Sequence, residues 1–382
     1  MDRTAGQLQL TGDFVRGARF ACSACGAEDC SVHDTEPRQW RHLNCFQYAC
    51  YIQARQPRVT CPHCGVKIVP VPWARPGSGF TLLFEAFTLT LMREMPVRAV
   101  SDLVGEWDTR LWRVLDHYVT EARDQRSLDT VTGFGVDETA ARRGHHYVTL
   151  FVDLAESAVL FATPGKDATT VTRFVEDFQA HHGDPAAVTD VTMDMSPAFI
   201  KGVTTHFPQA EITFDKFHVM KLLGDAVDAV RREKRKLCPE LAGTRYLWLK
   251  NPQDLKPQAV DALAQLRQAH LKTGRAYAIK ETLKEFWDQP PETAETFLRH
   301  WYFRATHSRL DPIRQAATTV KTRWAGVLQY AQSHRTNAVW EGINNLVQAA
   351  KARARGYRNV HHFISVIYLM AGKLSLPRLT LA

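Results

Sequence analysis

Two C-x-x-C pairs, each followed by glycine, constrain this chain more than any other feature: Cys22-Ser-Ala-Cys25-Gly and Cys61-Pro-His-Cys64-Gly. Thiolates at that spacing, with a glycine that lets the backbone turn tightly beneath them, suit two loops wrapping one tetrahedral zinc ion. Seven of the eight cysteines lie between Cys22 and Cys64, so the thiols serve one local purpose, and metal comes before disulfide in a reducing compartment. Cys22, Cys25, Cys61 and Cys64 are therefore the expected ligands of a structural Zn²⁺. Cys30, His33, Cys45 and Cys50 are irregularly spaced and read as buried or free side chains. Between the knuckles, the strand-like QWRHL and QYACYIQA segments suit a hairpin. An ion holding so small a unit supplies much of its folding free energy.

A chain of 382 residues, 45% hydrophobic and 23% charged, has apolar material for several cores and is not disordered. Its formal charge of +8 points to an anionic partner, nucleic acid first. No apolar run reaches the roughly 18 residues needed to cross a bilayer, and the first residues lack a signal peptide's apolar stretch, so the expectation is a cytoplasmic protein with no membrane partner. Beyond the turn-prone Pro70–Gly77 run, three helical segments follow, broken at Pro96 and Gly105. They resemble a helix-turn-helix, with Asp108 or Thr109 capping the third helix and Arg110 and Arg113 projecting from its first turn toward DNA. Leu111, Val114, Leu115 and Tyr118 form the packed face. A plain packing or dimerisation unit is the alternative.

From Val131 the pattern becomes β-rich. Strands are expected at Gly133–Asp137, His146–Asp153, Ala158–Thr163, Ala187–Asp194 and Glu211–Phe214, with helices at Thr169–His181 and Pro197–His206. That order, an antiparallel meander followed by helical crossovers, is that of an RNase H-like mixed sheet. Asp137 and Asp194 each end an apolar strand, and strands one and four of such a sheet are neighbours, so the two carboxylates meet. Like charges that close need cations, and a pair of divalent ions both neutralises them and serves phosphodiester chemistry. Oxygen-only ligands favour two Mg²⁺ or Mn²⁺ ions. Taken singly, either aspartate suits a strand-end turn, and Glu138, Asp153 and Asp190 compete. The third ligand is expected from a later helix. Glu341 is the best candidate, on a face continuing through Asn344, Asn345, Gln348, Lys351 and Arg355 that suits a DNA backbone; a solvated surface helix is the alternative. After Phe217 the chain reads as almost wholly helical, with a basic run from Arg231 to Lys236 and with Trp248, Trp287, Trp301 and Trp324 spread through it. Final helices at Asn337–Arg355 and Val360–Leu374 would return to the sheet.

The zinc knuckles, WRHL, PRVTCPHCGV, VPWARPGSGFTLLFEAF, GFGVDETA, MDMSPAFIKGV, FDKFHVMK and NAVWEGINNLVQAAKARARGYRN together resemble transposases of the ISL3 insertion-sequence family, whose catalytic domain is similar to that of the Mutator-like group. The likeness runs from about residue 20 to 370. It implies Asp137, Asp194 and Glu341 as the catalytic residues of a DDE transposase. It also makes Asp215 and His218 an Asp-x-x-His pair supporting the site, though Asp215 equally suits a helix cap. Many relatives carry His at the position of Cys64, which preserves zinc ligation. The expected multidomain α+β chain comprises a zinc ribbon with linker (1–76), a helix-turn-helix (77–128), an RNase H-like core in two parts (129–220 and 336–382) and an all-α insertion (221–335). Its partners would be the inverted repeats of its own element and target duplex DNA, bound as a homodimer or higher oligomer. Lys351, Arg353, Arg355, Arg358 and the Arg231–Lys236 run would hold phosphates, and Trp340 would either pack in the core or stack on an extruded base. Two rivals are an inactive DNA-binding regulator and an RNase H-like nuclease for branched or hybrid nucleic acid.

Overall fold

The computed structural model describes residues 6–142, 144, 146–269, 271–334 and 338–379. The chain forms two compact units. The first holds residues 1–123 with the short returns 353–355 and 374–382; the second holds 124–352 and 356–373.

In the first unit, β1 (Gln7–Gly12), β2 (Arg19–Phe20), β3 (Cys30–Arg41), β4 (Ala49–Cys61) and β5 (Gly65–Ile68) make one sheet in the order β1-β4-β3-β2, with β5 also on β4. The expected hairpin is present and longer than the segments that announced it: β3 and β4 pair from Ser31↔Thr60 to Arg41↔Tyr51, with an irregularity between Val32 and Asp34. Because β5 turns back at Cys61↔Gly65, the second knuckle sits at the hairpin's end. Three helices follow, α1 (Leu82–Glu94), α2 (Val97–Val104) and α3 (Asp108–Asp124). The Thr81 side chain accepts from the Phe84 N–H to cap α1, and Gly105, at φ 70°, ends α2 in the left-handed conformation that glycine adopts without a Cβ clash. Leu111, Val114, Leu115 and Tyr118 of α3 are buried, as their spacing requires. Beneath them Glu85 is wholly buried, accepting from Arg75 Nε at 3.0 Å, Ser78 Oγ at 2.6 Å and the Tyr118 hydroxyl at 2.8 Å. A carboxylate removed from water is tolerable only when it is so completely satisfied.

The second unit is built on β6 (Gly133–Arg142), β7 (His146–Asp153), β8 (Ala158–Pro164), β9 (Asp190–Met193) and β10 (Glu211–Phe214), ordered β10-β9-β6-β7-β8. β6, β7 and β8 are antiparallel, whereas β9 and β10 run parallel to β6. The parallel strands are reached through α4 (Ala168–Ala180) and α5 (Pro197–His206). Two strand limits differ from expectation by three residues or more, beside single-residue shifts at the ends of β8 and β9. β6 does not stop at Asp137, because its ladder with β7 continues to Arg142↔His146 after pairing with β9 has ended at Val136↔Met193. β9 starts at Asp190 rather than Ala187, since Asp184 caps a 3-10 turn over Pro185–Ala187. Strand alternation gives the sheet two chemically different faces. Phe134, Val136, Phe151, Val191, Met193 and Phe214 join Phe174, Phe178, Phe199 and Phe207 in the core, each ring contributing about 2–3 kcal/mol by leaving water. The opposite alternation carries Gly135, Asp137, Thr139, Thr192 and Asp194.

Helices α6 (Lys216–Arg235), α7 (Arg245–Leu249), α8 (Pro257–Ala269), α9 (Leu271–Lys284), α10 (Pro291–Thr306), α11 (Asp311–Thr322) and α12 (Trp324–Ser333) then form the helical stretch. Trp248, Trp287 and Trp301 are buried in its core and Trp324 packs against it. The chain ends in α13 (Ala338–Arg353) and α14 (Val360–Ala371). Asn337, expected at the start of the penultimate helix, lies outside the described residues.

Candidate active site

The register of the parallel strands brings distant acids into one row. Gly135 is opposite Thr192 and Thr192 opposite Thr213; Val136, Met193 and Phe214 form the next row and end both ladders. Asp137, Asp194 and Asp215 each occupy the following position, just past the end of the parallel pairing: Asp194 and Asp215 follow the last residues of β9 and β10, and Asp137 lies within β6, where its pairing with β9 has stopped and that with β7 goes on. Their proximity is visible in their electrostatics. Asp137 is pushed up to about 6, chiefly by burial and further by the charges of Asp194 and Asp215, against relief from the Glu138 N–H and His218. Glu138 is raised too, first by burial and then by Asp194. Asp215 both caps α6, accepting from the Phe217 N–H at 3.0 Å, and lies 3.0 Å from His218 Nδ1. That hydrogen bond holds the imidazole's pKa above its ordinary value, with Asp137 adding to the effect. The helix cap and the Asp-x-x-His pair are thus one structure.

Helix α13 lies along β6. Trp340, 2% exposed, sits so close to Gly135 that a Cβ there would meet its Cδ1 at 2.9 Å and Thr192 Oγ1 at 2.8 Å. Thr139 Oγ1 lies 3.0 Å from Asn344 Oδ1 and accepts from Gln348 Nε2 at 2.5 Å, and Lys351 Nζ donates to the Ala140 carbonyl at 2.5 Å. Asp137 stands between Gly135 and Thr139 on the strand, between the two points where the helix is pinned. Glu341 lies next to Trp340 and one turn before Asn344, at an exposed position. Among the described residues, the group of three or more possible metal-ligating side chains whose ligand atoms gather is that of the four knuckle cysteines. Burial of Trp340 removes the expectation that it stacks on an extruded base. Asn344 and Lys351 contact β6, whereas Asn345, Arg353, Arg355 and Arg358 are exposed. Sequence reading missed Thr139 and Gly135 as the anchors of α13; the alternation Gly135-x-Asp137-x-Thr139 was the signal available for them.

In the first unit, the Sγ atoms of Cys22, Cys25, Cys61 and Cys64 lie within 4.8 Å of one another. The His63 N–H draws the Cys61 thiol down to about 6, while Cys64 is pushed up to about 12, mainly by the Cys25 sulfur. Four sulfurs in one place, one already favouring the thiolate, fit a structural Zn²⁺, for which thiolates are strong ligands. Cys30 packs beside this cluster with its thiol 3.3 Å from the Ala27 carbonyl. On α3, Arg113 is exposed, but Arg110 lies 2.5 Å from Glu106 and 4.1 Å over the Phe80 ring.

Comparison with known proteins agrees along the chain. Residues 134–367 match a family described as transposase, 69–119 match the helix-turn-helix domain of transposase family ISL3, and 18–64 match the zinc-finger of transposase IS204/IS1001/IS1096/IS1165. The transposase for insertion sequence element IS1001 of Bordetella parapertussis is 29% identical, over 90% of this chain and 86% of its own length. The transposase for IS1557 of Mycobacterium tuberculosis is 26% identical, over 91% and 85%. With a zinc ribbon, a DNA-binding helix-turn-helix and a transposase domain in succession, the chain belongs to the ISL3 family of transposases.

Proposed function

We propose that this transposase binds the terminal inverted repeats of its element, cleaves DNA there and transfers the freed 3′-hydroxyl to target DNA, with Asp137, Asp194 and Glu341 holding two Mg²⁺ or Mn²⁺ ions. The observation that carries the reading is the row of Asp137, Asp194 and Asp215 just past the end of the parallel pairing of three adjacent strands, with Asp137 raised to about 6 by burial and like charge. Such a set of hard oxygen donors is short of positive charge and suits hard divalent cations. When bound, a cation pair of this kind activates an attacking oxygen and stabilises the leaving one. Asp137 and Asp194 supply the strand-borne carboxylates. Glu341 supplies the third from α13, whose seat on β6 limits how far that carboxylate can travel. His218, held by Asp215, brings positive charge to the edge of the row. The sheet order and strand directions support an RNase H-like fold for this unit.

Asp194→Asn tests the proposal. Metal-dependent nicking of a duplex carrying the element's end is expected to fall roughly 1,000-fold, about 4 kcal/mol of barrier, while binding of that duplex is unchanged. Equal and negligible nicking by wild type and variant, with binding intact in both, would instead make the chain a DNA-binding regulator.

A further inference from the structure

The basic run from Arg231 to Lys236 does not act as a unit. Arg231 is buried and used internally: its Nε and Nη2 lie 2.8 and 2.7 Å from Asp228 Oδ1, and its Nη1 donates to the Leu241 carbonyl at 3.0 Å. The other oxygen of Asp228 is shared. Arg232 Nε approaches Oδ2 at 3.4 Å, and Arg245 Nε, from α7, approaches the same atom at 3.5 Å. One carboxylate already neutralised by Arg231 thus gathers two more guanidiniums whose side chains are 65% and 50% exposed. Beside them stand Tyr246, 63% exposed with Arg245 above its ring at 5.9 Å, and the exposed Arg235 and Lys236. Between 228 and 246 the chain carries six cations against three carboxylates. Two guanidiniums converging on one oxygen repel each other, and holding them together has a physical reason where a polyanion is the partner, since fork-shaped donors match phosphate oxygens.

We infer that Arg232, Arg245 and Tyr246 form a second DNA-backbone site on the helical stretch, with the two arginines taking phosphates of duplex DNA, Tyr246 lying against sugar and base edges, and Asp228 and Arg231 serving as its rigid mount. The site deepens the reading of the chain as a strand transferase, which must grip DNA at more than its recognition helix. Contacts of this kind position a duplex without reading its sequence.

The test measures binding of a fluorescein-labelled duplex of arbitrary sequence by the full chain, with no divalent metal added, between about 50 and 200 mM salt. Arg232→Gln/Arg245→Gln leaves the Asp228–Arg231 pair in place, and an unchanged melting temperature checks that the mount survives. The slope of log K against log salt is expected to fall by about 2, near 0.9 per lost phosphate contact. Tyr246→Ala should weaken binding several-fold with the slope unchanged. As control, Arg299→Gln/Arg314→Gln removes the same charge from α10 and α11, where each arginine is held by a single carboxylate, and should leave the slope near wild type. A wild-type slope in the Arg232/Arg245 variant, or an equal fall in the control, overturns the inference. Because this binding requires no cleavage, a wild-type protein that binds yet never nicks the element's ends defeats only the proposed chemistry.

Discussion

Asp137 is costly to the fold unless something positive joins it. Its pKa is raised from the ordinary 3.8 to about 6, so the neutral acid is favoured in the folded protein. The stabilisation from that neutral form is complete below the unfolded pKa and is lost as pH rises through the folded one, a change of about 3 kcal/mol by linkage. Protein free of Mg²⁺ and Mn²⁺ should therefore lose stability between about pH 4 and pH 7, and Asp137→Asn should flatten that loss and be the more stable protein at about pH 8. Urea denaturation of both at the two ends of the range decides; parallel pH profiles for wild type and variant would remove Asp137 as the source. His218 is shifted upward for a different cause, its hydrogen bond to Asp215, so its charge persists to higher pH beside the row.

Among elements, α13 matters most to the proposed site because it carries Glu341, the proposed third carboxylate, and is seated by contacts too close to spare. Gly135→Ala would place a methyl group at 2.8 Å from Thr192 Oγ1 and 2.9 Å from the Trp340 ring. Overpacking of this sort costs about 1–3 kcal/mol, here by lifting the helix from β6. The variant should melt several degrees lower and lose nicking far more than DNA binding; nicking at the wild-type rate would show that the Trp340 contact does not position Glu341. The same element explains why a helix with so many polar residues is not simply a solvated one. Asn344, Gln348 and Lys351 spend their donors and acceptors on β6, leaving Asn345 and the following arginines outward. β6 itself shows how a strand limit is misread. The acid at 137 looked like an end because pairing does end there on one side, while β7 carries the ladder five residues further.

At the scale of the whole molecule, the knuckle end of the ribbon has little besides metal to hold it, whereas Trp40 and Cys50 are buried toward the other end of the β3–β4 ladder. Around the knuckles the buried apolar set is Cys22, Cys30, Val59 and Cys61, with Phe20, Ala27, Cys64 and Val69 partly covered. Removing zinc with a chelator should therefore expose the four knuckle thiols to alkylation and abolish much of the far-UV strand signal while leaving the helical signal, because unit two has its own large core. Retention of the strand signal after full metal loss would mean that the long β3–β4 ladder stands alone. Much of this organisation was legible in the chain: C-x-x-C spacing, helical periodicity broken at Pro96 and Gly105, and three consecutive strands followed by two more in alternation with helices are local patterns, set by covalent geometry within a few residues. What no local pattern contains is register across the sheet, which places Asp215 in a row with Asp137 and Asp194, and the choice of partner for each charge, which buries Arg231 on Asp228 and brings Arg245 to Arg232. Those depend on which distant backbones pair and which side chains lose water together, and only the folded chain decides them.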